Sequence, residues 1–181
     1  IGLIRVFQCR KILVLMQYKE YYQSALRHLD VCKTMMESLD SMNSKGHLTA
    51  KKERLKLDIY YLSGYIIETM ISYTFFVNLK WRKNIHVETC PFYDKGFKTH
   101  NLSAKLLFAT SKANCNYTGV SLLSKKFTDK TEQKMFYGWS EVVRYQNPKT
   151  CSNLDFTEAD LKRYLNDIES MSNQLIKKFY S

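Results

Sequence analysis

Apolar residues recur along the chain at helical spacing. Tyr18, Tyr22, Ala25, Leu29, Cys32, Met36 and Leu39 advance in steps of four and three, which puts them on one stripe and predicts a first helix. Asp40 to Thr49, with Ser, Asn and Gly46, reads as a loop whose last residue is placed to cap the next helix. Leu55, Ile59, Leu62, Ile66, Met70, Tyr73 and Val77 mark a second helix, predicted to be central. Leu102, Leu106 and Ala109 indicate a shorter third. Phe136, Trp139 and Val143 indicate a fourth, from Lys130 to about Tyr145, with Pro148 ending it because the residue before a proline is pushed out of the α region. Thr157-Glu-Ala-Asp160 has the form of a capping box, with Asp in place of Glu or Gln. It opens a last helix whose inward side carries Leu161, Leu165, Ile168, Met171, Leu175 and Phe179.

Two prolines and six glycines in 181 residues are too few for a chain of short strands and tight turns. An all-α domain follows. Its length suits one domain, residues 16–181, with a full core. Residues 1–15 are apolar but interrupted by Arg5, Arg10 and Lys11, without a small-residue cleavage site. They read as an extension of uncertain status and are left out of the fold argument.

Charge changes the picture by its placement. Lys plus Arg exceed Asp plus Glu by 11 overall, and Lys45 to Lys130 alone holds 15 basic residues against six acidic ones. A field of that sign favours phosphate-bearing partners or an acidic protein surface. Five cysteines, odd in number and never in a Cys-x-x-Cys pair, fit a reducing compartment, and so a cytoplasmic protein. His86 and Cys90 stand at a metal-like spacing with no second pair nearby, so no metal site is assigned.

The 21 residues from Ile59 to Leu79 approach the ~20 needed to span a bilayer. Glu68 near their midpoint, four tyrosines and several Ser, Thr and Asn would be costly in lipid, so the segment is read as a buried helix of a non-membrane protein. Burying Glu68 requires an answering cation or several donors. Gly64, one turn earlier, opens the same face to close approach.

No phosphate-cradling glycine loop, nucleophile elbow or zincin signature occurs, and no cofactor is expected. What remains is a polar set in a helical bundle: Glu68, His100 at the mouth of the third helix, and Glu141, Arg144 and Tyr145 on the fourth. Glu141 and Arg144 stand three apart and can pair along their own helix. Lys80 to His100 loses periodicity and interleaves Trp81, Arg82, Lys83, Phe92, Tyr93 and Lys98. Such a mixture suits phosphate contacts beside base stacking. The plainer reading is that the aromatics pin the loop to the bundle while the cations stay wet.

A tyrosine-rich first helix, then Tyr61-Leu-Ser-Gly64-Tyr-Ile-Ile-Glu68, then Thr99-His100-Asn101-Leu102, then Trp139-Ser-Glu-Val-Val-Arg144-Tyr145 together resemble the pattern of the HEPN family across most of Met16 to Ser181. The resemblance implies an up-and-down bundle of four to five helices that often dimerises and works on or beside RNA or nucleotides. Many members are metal-independent endoribonucleases, frequently toxins of toxin–antitoxin pairs or defence effectors. They carry an arginine followed, after four to six residues, by a histidine. Here Arg144 is followed by Tyr-Gln-Asn-Pro-Lys-Thr-Cys and no histidine comes later. Arg82 and His86 are a near miss, with three residues between them.

The resemblance therefore implies a non-catalytic, homodimeric domain that binds RNA, a nucleotide or a partner protein. Arg144, Tyr145, His100, Lys98, Arg82, Lys83 and Trp81 are its candidate binding residues. Arg144 is expected to meet a phosphate or to pair with Glu68 or Glu141. His100 is expected to cap its helix or contact a nucleotide. Two alternatives stay open. One is a divergent endoribonuclease in which Arg144 and Glu68 are kept and His100 or Tyr145 moves the proton. The other is a protein-interaction scaffold whose basic middle docks on an acidic partner.

Overall fold

The computed structural model describes residues 16–44, 49–124, 127, 129–146 and 155–179. Five α-helices form a bundle: α1 Lys19–Ser44, α2 Thr49–Asn78, α3 Leu102–Ala113, α4 Lys130–Gly138 and α5 Glu158–Phe179. Short helical turns at Val87–Thr89, Tyr93–Phe97 and Glu141–Tyr145 complete it, and there is no strand among the described residues. The chain is all-α, as its apolar spacing requires.

α2 is the axis. It packs against α1, α3, α5 and the Glu141–Tyr145 turn, and it is buried nearly all round from Ile59 to Phe76. A helix touched on every side has no polar face to spare, which is why its sequence lacks a wet stripe. No helix among the described residues is long and apolar enough to cross a membrane. On α1, Ala25, Leu29, Cys32, Met36 and Leu39 are buried. On α5, Leu161, Leu165, Ile168, Met171 and Leu175 are buried. Both stripes fall where the spacing puts them.

The capping box at the start of α5 forms. Asp160 N–H donates to Thr157 Oγ1 at 3.1 Å, and Thr157 N–H to Asp160 Oδ2 at 2.8 Å. The Thr157 N–H and hydroxyl, both donating to Asp160 Oδ2, hold its carboxyl below the usual carboxylate range.

Several boundaries differ from the sequence reading. α1 continues through the expected loop to Ser44, and Thr49 is the first residue of α2 rather than its cap. Residues 1–15, Gly46 and Pro148 lie outside the described residues. The expected fourth helix is two pieces. α4 ends at Gly138, Trp139 is extended at φ −73° and ψ 136°, and Glu141–Tyr145 forms a separate 3-10 turn. The break has a cause in packing. A Cβ on Gly64 would lie 2.0 Å from the Trp139 indole, so that ring fills the notch the glycine leaves on α2. Its Nε1–H donates to Tyr61 O at 3.0 Å. A residue in the helical register of α4 would not deliver its ring there.

The segment after α2 is pinned by its aromatics. Phe97 stacks on Phe75 at 4.5 Å between ring centres and meets Phe76 edge-on at 5.2 Å. Burying a ring of this size stabilises by about 1.5–3 kcal/mol. Trp81 lies half-buried against Phe76 and donates to Ile85 O. Arg82, Lys83 and Lys98 are exposed.

Candidate functional site

Glu68 sits midway along α2 and is 8% exposed. Its charge is answered from α3. Lys105 Nζ donates to Glu68 Oε1 at 3.0 Å and lies 3.4 Å from Ser72 Oγ. Lys105 is itself 3% exposed, and its ammonium stands 4.6 Å from the centre of the Phe97 ring. Burial pulls the Lys105 pKa down, while Glu68 pushes it back up. On the second carboxylate oxygen, Glu68 Oε2, His100 Nδ1 lies at 3.0 Å.

The start of α3 fixes this arrangement. Its N-cap is Asn101, whose Oδ1 accepts from Ala104 N–H at 2.8 Å. The expected capping role of His100 is therefore taken by its neighbour, and the imidazole is left to reach Glu68. Lys105 follows one turn inside the helix, on the same side as buried Leu102, Leu106 and Ala109. A carboxylate held by an ammonium can only accept, so His100 Nδ1 carries the proton. The ring is thereby oriented, with Nε2 its remaining polar atom on a side chain that is 48% exposed.

Tyr65 joins this pair to the rest of the face. Its ring centre is 6.2 Å from His100, 5.2 Å from Trp139, 4.9 Å from Tyr61 and 6.2 Å from His28 on α1. Burial raises the Tyr65 phenol pKa, and the Tyr61 hydrogen bond and the charges of Glu68 and Glu141 raise it further. Burial and the Arg27 charge lower that of His28. Tyr65 is thus held neutral and unsuited to act as a base.

The Glu141–Tyr145 turn packs on α2, anchored by fully buried Val143, and is close enough to Tyr65 for the Glu141 charge to act on it. Arg144 is exposed, with its guanidinium 5.7 Å from the centre of the Tyr145 ring. Neither expected ion pair forms: among the described residues no carboxylate pairs with Arg144, and Glu68 is occupied by Lys105 and His100. Tyr145 is 78% exposed, Val142 on the same turn is 53% exposed, and Tyr137 on α4 is 48% exposed.

Glu68 and His100, two candidates read from the sequence, are in contact. Arg144 and Tyr145 are on the separate Glu141–Tyr145 turn and form no ion pair or ring contact with them, while Arg82, Lys83, Lys98 and Trp81 belong to the segment between α2 and α3. Lys105 and Tyr65 were missed. Lys105 had a signal: a lysine three residues after Leu102 and four before Ala109 falls on the inward stripe of its helix. No protein-family model, curated protein or solved structure matches the chain.

Proposed function

We propose that the chain is a HEPN-like helical domain, non-catalytic and homodimeric, which binds single-stranded RNA or a nucleotide. The single observation that carries this reading is the pair Arg144 and Tyr145: an exposed cation that pairs with no carboxylate among the described residues, beside an aromatic ring with most of its surface open. A guanidinium offers a phosphate up to two parallel donors, and an exposed ring offers a base a stacking surface worth about 1–3 kcal/mol. The chain's charge excess of 11 supplies the long-range attraction. Glu141, also exposed on this turn, disfavours a phosphate placed over it and directs the backbone of a ligand toward Arg144.

The test is RNA binding measured across a salt series. A mixed single-stranded RNA is expected to bind with an affinity that falls as salt rises. Arg144→Ala is expected to lower that affinity and to reduce the slope by about one phosphate contact. Absence of salt-dependent binding to RNA or nucleotide would leave an acidic protein partner as the function of the basic surface. Sedimentation tests the dimer.

A second reading, a divergent metal-independent endoribonuclease, is favoured by one contact. Glu68 fixes the His100 tautomer so that Nε2 is the nitrogen able to take the proton of a ribose 2′-hydroxyl. Incubation with RNA in chelator separates the two readings. Cleavage lost in His100→Ala supports the enzyme, and intact RNA rejects it.

A further inference from the structure

A second concave site lies away from Glu68, between the start of α1, the C-terminal half of α2 and the end of α5. Its cavity of about 460 Å³ is bounded by Tyr18, Tyr22, Tyr73 and Phe179, with Lys19 and Lys83 among the lining residues. Tyr73 and Val77 stand five and nine residues after Glu68, about 140° and 180° around the helix from it. The site therefore shares no face of α2 with the His100 pair.

The walls are aromatic. Tyr22 and Tyr73 approach at 5.3 Å between ring centres with 34° between their planes, and Tyr18 and Tyr73 at 6.0 Å with 36°. Tyr18 and Tyr73 are buried and form a floor, whereas Tyr22 and Phe179 are half-buried and stand at the edge. The volume lies within the ~300–1,000 Å³ common for small-molecule sites. The mouth is cationic. No acidic side chain lines it. Lys33, Lys56, Lys105 and Lys162 each pair with a carboxylate, but among the described residues Lys19 and Lys83 pair with none. An anion arriving there displaces no carboxylate of the described residues from these two lysines.

We propose that this cleft binds a small planar aromatic anion, its ring against Tyr22, Tyr73 and Phe179 and its phosphate or carboxylate on Lys19 and Lys83. Flat rings prefer offset contacts with such walls. Two lysines present point charges without the planar fork of arginine, so they accept either anionic group.

The experiment is calorimetric titration of the full chain with adenosine 5′-monophosphate, indole-3-acetate, adenosine and inorganic phosphate. At least one ring-bearing anion is expected to bind saturably. Adenosine and inorganic phosphate, each lacking half of the ligand, are expected to bind at least tenfold more weakly. Binding of the nucleotide alone identifies the phosphate as the anchor, and binding of the indole acid alone the carboxylate. Replacing both exposed lysines, Lys19→Gln with Lys83→Gln, leaves the core untouched and is expected to weaken binding roughly tenfold or more. Arg144→Ala is expected to leave indole-3-acetate binding and the lysine-dependent part of nucleotide binding unchanged, which separates this site from the proposed RNA-binding face. The proposal is overturned if neither anion saturates, if inorganic phosphate binds as well as the nucleotide, if the double lysine variant binds normally, or if Arg144→Ala weakens the lysine-dependent binding as much.

Discussion

Glu68 and Glu132 are both acids at helix contacts, and they differ in whether a cation is left to answer them. Glu68 is almost wholly buried but has an ammonium on one oxygen and an imidazole N–H on the other. Glu132 on α4 is only half-buried, yet burial, the facing Asp167 of α5 and Asp129 push its pKa up to about 7. A cation is close, since Arg163 opposes this shift. Arg163 is already committed to Asp129 at 2.6 Å and Asp160 at 2.8 Å. Glu132 is raised first by burial and then by the facing acids, with its nearby cation already committed elsewhere. The centre of α2 holds its acid between a lysine and a histidine; at the α4–α5 contact the acid faces other acids and its pKa is pushed up to about 7.

Breaking the first half of this comparison has the largest expected effect. Lys105→Met removes the cation and strands Glu68, and the loss expected from urea denaturation is about 3–5 kcal/mol. Adding Glu68→Gln to the same chain removes the stranded charge and is expected to restore much of that loss. A loss below ~1 kcal/mol for Lys105→Met alone would mean that water, and not the lysine, answers the carboxylate.

Gly64→Ala comes next, because it acts where the two regions are joined. The new methyl would stand 2.0 Å from the Trp139 ring, so the indole must leave its notch and its hydrogen bond to Tyr61. Overpacking of this kind costs about 1–3 kcal/mol. Tryptophan fluorescence is expected to shift to the red as the ring is pushed toward water. An unchanged spectrum with wild-type stability would show that the notch is not filled by Trp139.

The pH dependence of the second half is smaller. For Glu132 the folded value near 7 lies above the ordinary 4.5, so the folded chain binds more protons between the two. Its stabilising contribution is complete below about pH 4.5 and is lost as pH rises through 7. After allowance for solvent screening at a half-exposed group, this is on the order of 1 kcal/mol. Glu132→Gln, measured by thermal unfolding from pH 5 to 8, is expected to flatten that slope and to raise stability at pH 8. A slope unchanged by the substitution would place the titration elsewhere.

These contrasts explain what could be read from residues alone. The stripes of α1 and α5 were legible because one face of each is wet and the period survives. That Gly64 opens its face of α2 to close approach was legible, and so was the inward side of Trp139. Their meeting was not, since spacings of three and four from Phe136 to Val143 fit an unbroken helix equally well. Only the three-dimensional demand of the notch breaks it. Lys105 was missed for a related reason. Lysine is read as surface by default, and its partner lies 37 residues earlier on another helix. Arg144 was read as a partner for a phosphate or for Glu68 or Glu141, and neither ion pair forms among the described residues. Glu68 was already taken, and the arginine stayed outside.

That last difference gives the smallest effect on stability and the sharpest on function. Arg144 has no ion pair among the described residues and sits on an exposed turn held by Val143, so Arg144→Ala is expected to change unfolding free energy by less than ~0.5 kcal/mol. Lys105→Met, by contrast, is expected to cost several kcal/mol. Under the proposed function the ranking reverses for RNA. Losing a charge-assisted phosphate contact costs about 1.5–3 kcal/mol, roughly a tenfold or greater fall in affinity. Tyr145→Ala is expected to lower affinity at all salt concentrations with little change in slope, because a stacked ring releases no counterions. Filter binding of both variants beside thermal unfolding decides the matter. If Arg144→Ala binds RNA as the parent does while folding normally, the exposed arginine and tyrosine are not the nucleic-acid surface, and the charge of the chain must act through residues between α2 and α3.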